Sequence, residues 1–500
     1  MAVNYKSIAK NLKFEGRAFI DGKYVDAIDG EKFENINPAT GETLCSVSKC
    51  NHKDVDLAVK VSRKAFNSGI WSRTSPEFRK DVLLKFAELL RQTGEENSVL
   101  ECVDTGKLIG DCINEVANDA PMHFQWYGEL IDKVFGKVGP TEPSLTSLIV
   151  KEPIGVVAGV VPWNFPLMMA VWKMAPALAA GCSVIIKPAE DTPLTAIRVA
   201  QIAKEAGIPD GVLNIVPGFG DVGEALGRHD DVDAVSFTGS TEVGGLFMKY
   251  SGESNLKTIG LEMGGKSPFI VLEDAKINDD LIDNAINSAF WNGGQNCSAN
   301  MRQIIHSKVK DEFLDKVSKK VKDLKVGDPL DPSSNMGSMI SKKHLATVDG
   351  YIQKGVDEGA KLLFGGISSG DQKGFFAKPT LFDDLKENMT IAQEEIFGPV
   401  LAIQTFRTID EVLQKANNSP YGLAAGVWTD KGARIFGLSS QLQAGVVWAN
   451  TYNKFDPASS QITSTLASNN VKYVYYGDVV FADEVSGATS FASKPIITAT

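Results

Sequence analysis

Between residues 154 and 237 short β-branched runs alternate with helical stretches, and this alternation constrains the fold more than any other feature of the chain. Segments 154–161, 183–187, 212–216 and 234–237 read as strands, while 195–206 and 222–226 read as the crossover helices between them. Strands and helices alternating at this spacing imply a parallel sheet covered on both faces. A second series begins at Ser267-Pro268-Phe269-Ile270-Val271-Leu272, passes through a helical pattern at 311–324, and reaches Ala444-Gly445-Val446-Val447-Trp448. Because 500 residues exceed what one core can serve, two α/β lobes are expected. The run Leu261-Glu262-Met263-Gly264-Gly265-Lys266 falls at their junction, where ligand clefts tend to lie. Upstream, 55–134 reads as helical, with apolar positions three to four apart in 55–66 and 82–90.

Composition excludes several function classes. A net charge of −11 and a pI near 5.2 leave no basic face for nucleic acid or an anionic membrane. The most apolar run, 154–161, falls far short of the roughly 20 residues that span a bilayer, and the N-terminus has no apolar stretch of signal-peptide length. Cysteines stand at 45, 50, 102, 112, 182 and 297, which is neither a disulfide framework nor a zinc pattern. No metal site is expected, and the thiols read as reduced residues of a cytoplasmic protein.

One of those cysteines has an unusual setting. In Trp291-Asn292-Gly293-Gly294-Gln295-Asn296-Cys297 the glycines let backbone approach a bound molecule closely. A lone cysteine is otherwise more often a small buried hydrophobe. Glu262 has apolar neighbours, Leu261 and Met263, which disfavour its charged form and make it a better base; the alternative is a structural pair with Lys266. A thiol and such a carboxylate are the minimum needed to make and then hydrolyse a thioester. Asn164, in Pro162-Trp163-Asn164-Phe165-Pro166, sits in a stiff loop after a buried strand, where asparagine is by default a turn residue. Lys173 is out of keeping with its apolar surroundings at 167–180, unless its stem simply snorkels to water. Lys187 and Glu190 follow a strand end, where dinucleotides bind in open parallel sheets, although a pair three apart is ordinarily solvated surface. Gly218-Phe219-Gly220-Asp221-Val222-Gly223 fits the glycine-rich phosphate loop pattern.

From about Phe19 to Pro457 these motifs, in this order, resemble the NAD(P)-dependent aldehyde dehydrogenase superfamily. The resemblance implies an α/β fold of two lobes with Rossmann-like parallel sheets. Residues 1–132 and 153–262 would form the dinucleotide-binding domain and 263–457 the thiol domain. Segment 133–152, joined by 471–500, would bridge subunits of a homo-oligomer, a dimer or tetramer. It implies that Cys297 is the nucleophile, that Asn164 and the Cys297 N–H hold the oxyanion, that Glu262 activates water, and that Lys173 lies beside them. It sets NAD, with NADP the lesser alternative, on Trp163, Lys187, Glu190, Gly220, Phe237, Gly239, Ser240, Gly264, Glu395 and Phe397. In the family the turn at Gly220 lies by the adenine, and the pyrophosphate rests near Ser240 and Trp163. Phe165, Met168, Trp172 and Trp291 match substrate-tunnel walls. The runs at 126–133, Gln295-Asn296-Cys297 and 447–450 are most similar to ω-aminoaldehyde dehydrogenases acting on substrates such as gamma-glutamyl-gamma-aminobutyraldehyde. A broad-specificity aliphatic or aromatic aldehyde dehydrogenase is the alternative, and a non-catalytic scaffold is the rival of a different class. After Pro457 the chain departs from the family, with no arginine and two glycines, and 471–482 is its clearest strand pattern.

A carboxylate at 190 accepts from a ribose 2′-hydroxyl and repels a 2′-phosphate. Like charges a few ångströms apart in a partly desolvated site cost on the order of 1–4 kcal/mol. Steady-state kinetics should therefore show kcat/KM for NAD exceeding that for NADP by roughly tenfold or more, and Glu190→Gln should narrow the gap. Equal values for both cofactors in the unaltered protein would refute this.

Overall fold

The computed structural model describes residues 3–368 and 373–455, together with the backbone of strands at 473–476, 479–481 and 493–497. The chain opens with a hairpin of β1 (Ala18–Ile20) and β2 (Lys23–Val25), turned through Asp21 and Gly22, both at positive φ. A separate two-stranded ribbon of β3 (Lys32–Ile36) and β4 (Thr43–Ser48) follows. The helical stretch upstream of the first sheet is a set of packed helices rather than one. His52–Ser68 begins with a reciprocal capping box between Asn51 and Asp54, and Pro76–Gln92 is capped by the Ser75 side chain. Next comes the antiparallel pair β5 (Lys137–Gly139) and β6 (Ser147–Pro153), which exposes Val138, Leu148 and Val150.

The first large sheet holds five parallel strands, β7 (Val156–Val160), β8 (Ser183–Lys187), β9 (Leu213–Ile215), β10 (Ala234–Thr238) and β11 (Thr258–Glu262). Its order is β11-β10-β7-β8-β9-β1-β2, the first hairpin extending it antiparallel along β9. Every residue of β7, β8 and β9 is buried, as expected for strands covered on both faces. The apolar run read as one strand from 154 starts only at Val156. At Gly155, φ is 135° and a Cβ would lie 1.8 Å from Oδ2 of Asp233, which accepts the Val156 N–H at 2.7 Å. That glycine separates β6 from β7.

The second sheet contains β12 (Pro268–Val271), β13 (Arg302–His306), β14 (Lys361–Phe364), β15 (Thr380–Asp383), β16 (Val400–Phe406), β17 (Ala424–Trp428) and β18 (Val446–Ala449). Its order is β14-β15-β16-β13-β12-β17-β18, continued by β19 (Tyr473–Tyr476) and β20 (Val479–Phe481). Of the strand pattern at 471–482, the described strands β19 and β20 pair antiparallel on the second sheet. A last strand, β21 (Ser493–Ile497), pairs antiparallel with β6 and completes a three-stranded sheet β21-β6-β5. No helix among the described residues is long and apolar enough to cross a membrane.

Asn214 in β9 ties the first sheet to its surroundings. Its Oδ1 accepts the Asp21 N–H at 2.9 Å, and its Nδ2 donates to Ser62 Oγ and to the Gly211 carbonyl, both at 2.9 Å, with the side chain fully buried. Asn214→Leu leaves those groups without partners, each costing about 1–3 kcal/mol. Calorimetry should show a lowered thermal midpoint, and an unchanged midpoint would show that the bonds contribute nothing.

Candidate active site

The carboxyl edge of the first sheet and the amino edge of the second meet at one cleft. The chain crosses directly between them, since β11 ends at Glu262 and β12 begins at Pro268. The helix Asp279–Phe290 gives way to a tight turn in which Asn292, Gly293 and Gly294 have φ of 52°, 63° and 71°. A Cβ at Gly294 would stand 2.3 Å from the Gly398 carbonyl oxygen, so the glycine is required for shape as well as conformation. Gln295 then anchors the loop, donating to Asn292 O at 3.0 Å and Ser338 O at 3.3 Å and accepting from Ile340 N at 2.9 Å. Asn296 donates to the Tyr452 hydroxyl at 2.7 Å and accepts from Ser298 N at 3.2 Å. Cys297 is held between these fixed amides, half-buried, with Sγ 3.9 Å from Asn296 Oδ1.

Asn164 reaches the same loop from the end of β7. Its buried Nδ2 donates to the Gln295 carbonyl at 3.0 Å, and its own carbonyl accepts from Asn292 Nδ2 at 3.2 Å. Glu262 is the last residue of β11, in parallel register with Thr238 of β10. Lys173, from the helix Pro166–Ala180, donates to Thr238 Oγ1 at 2.6 Å. Burial raises the Glu262 carboxyl well above the usual range, with Lys173 opposing the rise. Burial lowers Lys173 to about 8, with Glu262 opposing the fall. The Cys297 thiol is pushed up to about 12, first by burial and then by the charges of Glu395 and Glu262. The suggested structural pair of Glu262 with Lys266 is not formed: among the described residues the buried Lys266 Nζ has no hydrogen-bond partner.

Two adjacent glycines let the lobes close on each other. A Cβ at Gly264 would lie 2.1 Å from Oε2 of Glu395, and one at Gly265 would lie 2.6 Å from the Cys297 carbonyl oxygen. The Gly265 N–H donates to Glu395 Oε1 at 3.0 Å. Burial brings Glu395 up to about 7 despite that bond. Phe397, at φ 56°, packs edge-on to Trp163 at 5.2 Å. Its carbonyl accepts the His344 Nε2–H at 2.7 Å, and the His344 ring is 5.1 Å from Trp163. His344, Gln295 and Tyr452 were not singled out from the sequence. A lone histidine 53 residues away carries no motif, and Tyr452 meets Asn296 across 156 residues of chain.

Four loops line the carboxyl edge of the first sheet. Trp163 follows β7, Lys187 ends β8 and Glu190 lies in the loop after it, Gly220 opens the helix after β9, and Gly239 and Ser240 follow β10. The strand order reverses between β7 and β10, the position at which open parallel sheets bind dinucleotides. Lys187 Nζ is buried and lies 3.2 Å from Glu190 Oε2, which is partly exposed. Ser240 caps the helix Thr241–Gly252 by accepting from Val243 N at 3.3 Å, so that a helix N-terminus opens beside it. The space beyond the Gly220 α-carbon is open. Phe237 faces inward instead, stacking on Phe247 at 4.9 Å and leaving room above its ring only for a glycine at 239. This donor set, a lysine, a carboxylate, and a serine-capped helix terminus along one edge, fits a dinucleotide.

Beyond Cys297 and Asn164, Phe165 packs on Trp291 at 5.1 Å and Trp172 meets Phe455 at 5.8 Å. Met168 lies buried one turn beyond Phe165. The resulting wall is aromatic and sulfur-bearing, suited to varied apolar groups.

A family model described as the aldehyde dehydrogenase family matches residues 24–464. The aminoacetaldehyde dehydrogenase of Pseudomonas aeruginosa is 44% identical over 456 residues, covering 91% of each chain. Among solved structures, an indole-3-acetaldehyde dehydrogenase complexed with NAD+ aligns with a TM-score of 0.93 at 43% identity, covering 99% of this chain and 98% of that one. The gamma-glutamyl-gamma-aminobutyraldehyde dehydrogenase of Burkholderia cenocepacia aligns with a TM-score of 0.91 at 42% identity and the same coverage. Fold, cleft and likeness agree: the chain belongs to the aldehyde dehydrogenase family and is an NAD-dependent oxidoreductase of aldehydes.

Proposed function

We propose that Cys297, Asn164, Glu262 and Lys173 carry the reaction and that the substrate is an ω-aminoaldehyde or its gamma-glutamyl derivative. The observation that carries the assignment is the bond from Asn164 Nδ2 to the carbonyl of Gln295, two residues before Cys297. It sets a side-chain donor beside the cysteine loop. Cys297, as thiolate, attacks the aldehyde carbon, and the oxygen that becomes charged is held by Asn164 Nδ2 and the Cys297 N–H. Such a donor is typically worth about 3–4 kcal/mol. NAD, when bound, accepts the hydride whose loss leaves an acyl group on Cys297. Glu262 then takes a proton from the water that releases the acid, and Lys173, bound to Thr238 beside Glu262, holds its charge near that carboxylate.

Trp163, Lys187, Glu190, Gly220, Gly239, Ser240, Gly264, Glu395 and Phe397 form the cofactor site in this reading, while the buried Phe237 shapes it only through the glycine at 239. Lys187 and Glu190 are suited to ribose hydroxyls and Ser240 with Trp163 to the pyrophosphate, while Glu395 and Phe397 flank the nicotinamide end. Phe165, Met168, Trp172 and Trp291 form the substrate wall. The substrate class is supported by the names of the two relatives that act on aminoacetaldehyde and gamma-glutamyl-gamma-aminobutyraldehyde. The aromatic pairs Phe165–Trp291 and Trp172–Phe455 support a second reading of broader specificity, including aromatic aldehydes. We assign 1–132 and 153–262 to the cofactor domain, 263–457 to the thiol domain, and 133–152 to a bridging segment; of the expected 471–500, β21 pairs with that segment whereas β19 and β20 extend the second sheet. The exposed Val138, Leu148 and Val150 of that segment support assembly into a homo-oligomer, which we place in the cytoplasm.

Cys297→Ala is expected to abolish NADH formation while NAD binding persists. Glu262→Gln should release about one NADH per active site in a rapid phase and then turn over very slowly. Because Glu262 acts only when ionised and burial raises its pKa well above the usual carboxylate range, deacylation should speed up as pH rises above that range. A pH-independent steady state, or normal turnover in Glu262→Gln, would contradict the assignment. Gly264→Ala drives a methyl group into the Glu395 carboxylate and should reduce kcat/KM for NAD by about tenfold or more, equivalent to roughly 1.4 kcal/mol. Unaltered NAD kinetics would remove Glu395 from the cofactor site.

A further inference from the structure

Beside the active-site loop lies another pocket that the reaction does not use. It opens where the amino ends of β12 and β13 meet the segment 416–425 and the turn at 442–444. Lys266, Ser267 and Arg302 are among its polar lining residues, and Pro268, Leu423 and Leu442 are among its apolar walls. Lys266 is 4% exposed and Arg302 2%, so two cations are buried at one place. Arg302 is partly employed: its Nη1 and Nη2 donate to the carbonyls of Lys415 and Ala416, each at 2.8 Å, at the end of the helix Ile409–Asn417. Its Nε–H, the Lys266 ammonium and the Ser267 hydroxyl have no hydrogen-bond partner among the described residues. Neither cation has an ion-pair partner within 4 Å among those residues. Glu394 and Glu395 are the carboxylates whose charge reaches Lys266, and Glu395 is committed to the Gly265 N–H.

Buried donors without partners call for a bound water or ion, and adjacent buried cations without a counter-charge call for an anion. Burial and then the Arg302 charge bring Lys266 down to about 7, so water would leave Arg302 uncompensated beside a partly neutral amine, whereas an anion would offset Arg302 and hold Lys266 charged. The confined, half-apolar lining suits a small, weakly hydrated anion better than a phosphate ester. We propose that this pocket binds a small inorganic anion, of which chloride is the simplest, between the Lys266 ammonium, the Arg302 Nε–H and the Ser267 hydroxyl. Lys266 follows Gly265, whose N–H holds Glu395 and whose α-carbon packs against the Cys297 carbonyl. The anion thereby braces the cleft from a pocket outside it.

Chloride is the probe. The full chain should broaden the 35Cl NMR signal saturably in a background of gluconate at constant ionic strength. Lys266→Met, which keeps the stem and removes the charge, should weaken that binding at least tenfold while circular dichroism shows an intact fold. Should that variant not fold, crystals of the unaltered protein grown in bromide provide the second reading, with an anomalous peak expected beside Lys266 Nζ. Absence of saturable broadening, unchanged binding in folded Lys266→Met, or only water at the position in the bromide crystals would each overturn the proposal.

Discussion

Two missing side chains hold this active site together. At Gly264 the space of a Cβ belongs to the Glu395 carboxylate, and at Gly265 it belongs to the Cys297 carbonyl. Chain from three places, the end of β11, the loop before β13 and the loop before β16, comes into contact only because these two residues have no side chain. Backbone does not yield as a flexible side chain does, so the contact with Cys297 fixes the position of the cysteine loop rather than merely permitting it. The other anchors, Asn164 on Gln295, Gln295 on Ile340 and Asn296 on Tyr452, then set the direction of the thiol.

Closeness of this kind removes water, and the titratable groups register it. Burial is the first cause of the raised Cys297, Glu262 and Glu395 and of the lowered Lys173. Glu262 and Lys173 each oppose the other's shift, so the pair limits the cost of burying two charges. A carboxylate that water would keep ionised at acidic pH is made into a base suited to taking a proton from water. The same burial disfavours the thiolate. In the proposed reaction, Asn164 and the Cys297 N–H are neutral donors, so they would aid the charged oxygen without adding a second buried charge to the cleft.

The two sheets divide the work by their edges. The carboxyl edge of the first offers loops of varied chemistry at the point where strand order reverses between β7 and β10. The amino edge of the second supplies Cys297 before β13 and Glu395 with Phe397 before β16. Trp163 and Phe397 pack against each other across this boundary and His344 fixes the Phe397 carbonyl, so the cofactor side and the thiol side share one wall.

The sequence by itself determined the two α/β lobes, because buried parallel strands must be continuous apolar runs and crossover helices must be amphipathic, and both patterns are local. It also determined Cys297, Glu262, Asn164 and the strand-end pair Lys187 and Glu190 as candidates, since their neighbours are glycines, prolines and apolar residues with a direct conformational or electrostatic meaning. Strand ends were less legible: Gly155 divides one apolar run because Asp233, 78 residues away, fills its Cβ position, and strands β19 and β20 took a sheet that no local pattern names. Only the tertiary structure decided which residues hold the cysteine loop, that Phe237 faces the core, and that Lys266 leaves Glu262 alone and lines a different pocket with Arg302. These are contacts between residues far apart in the chain. Their energies depend on distance and on the exclusion of water, and neither is defined until the sheets have packed.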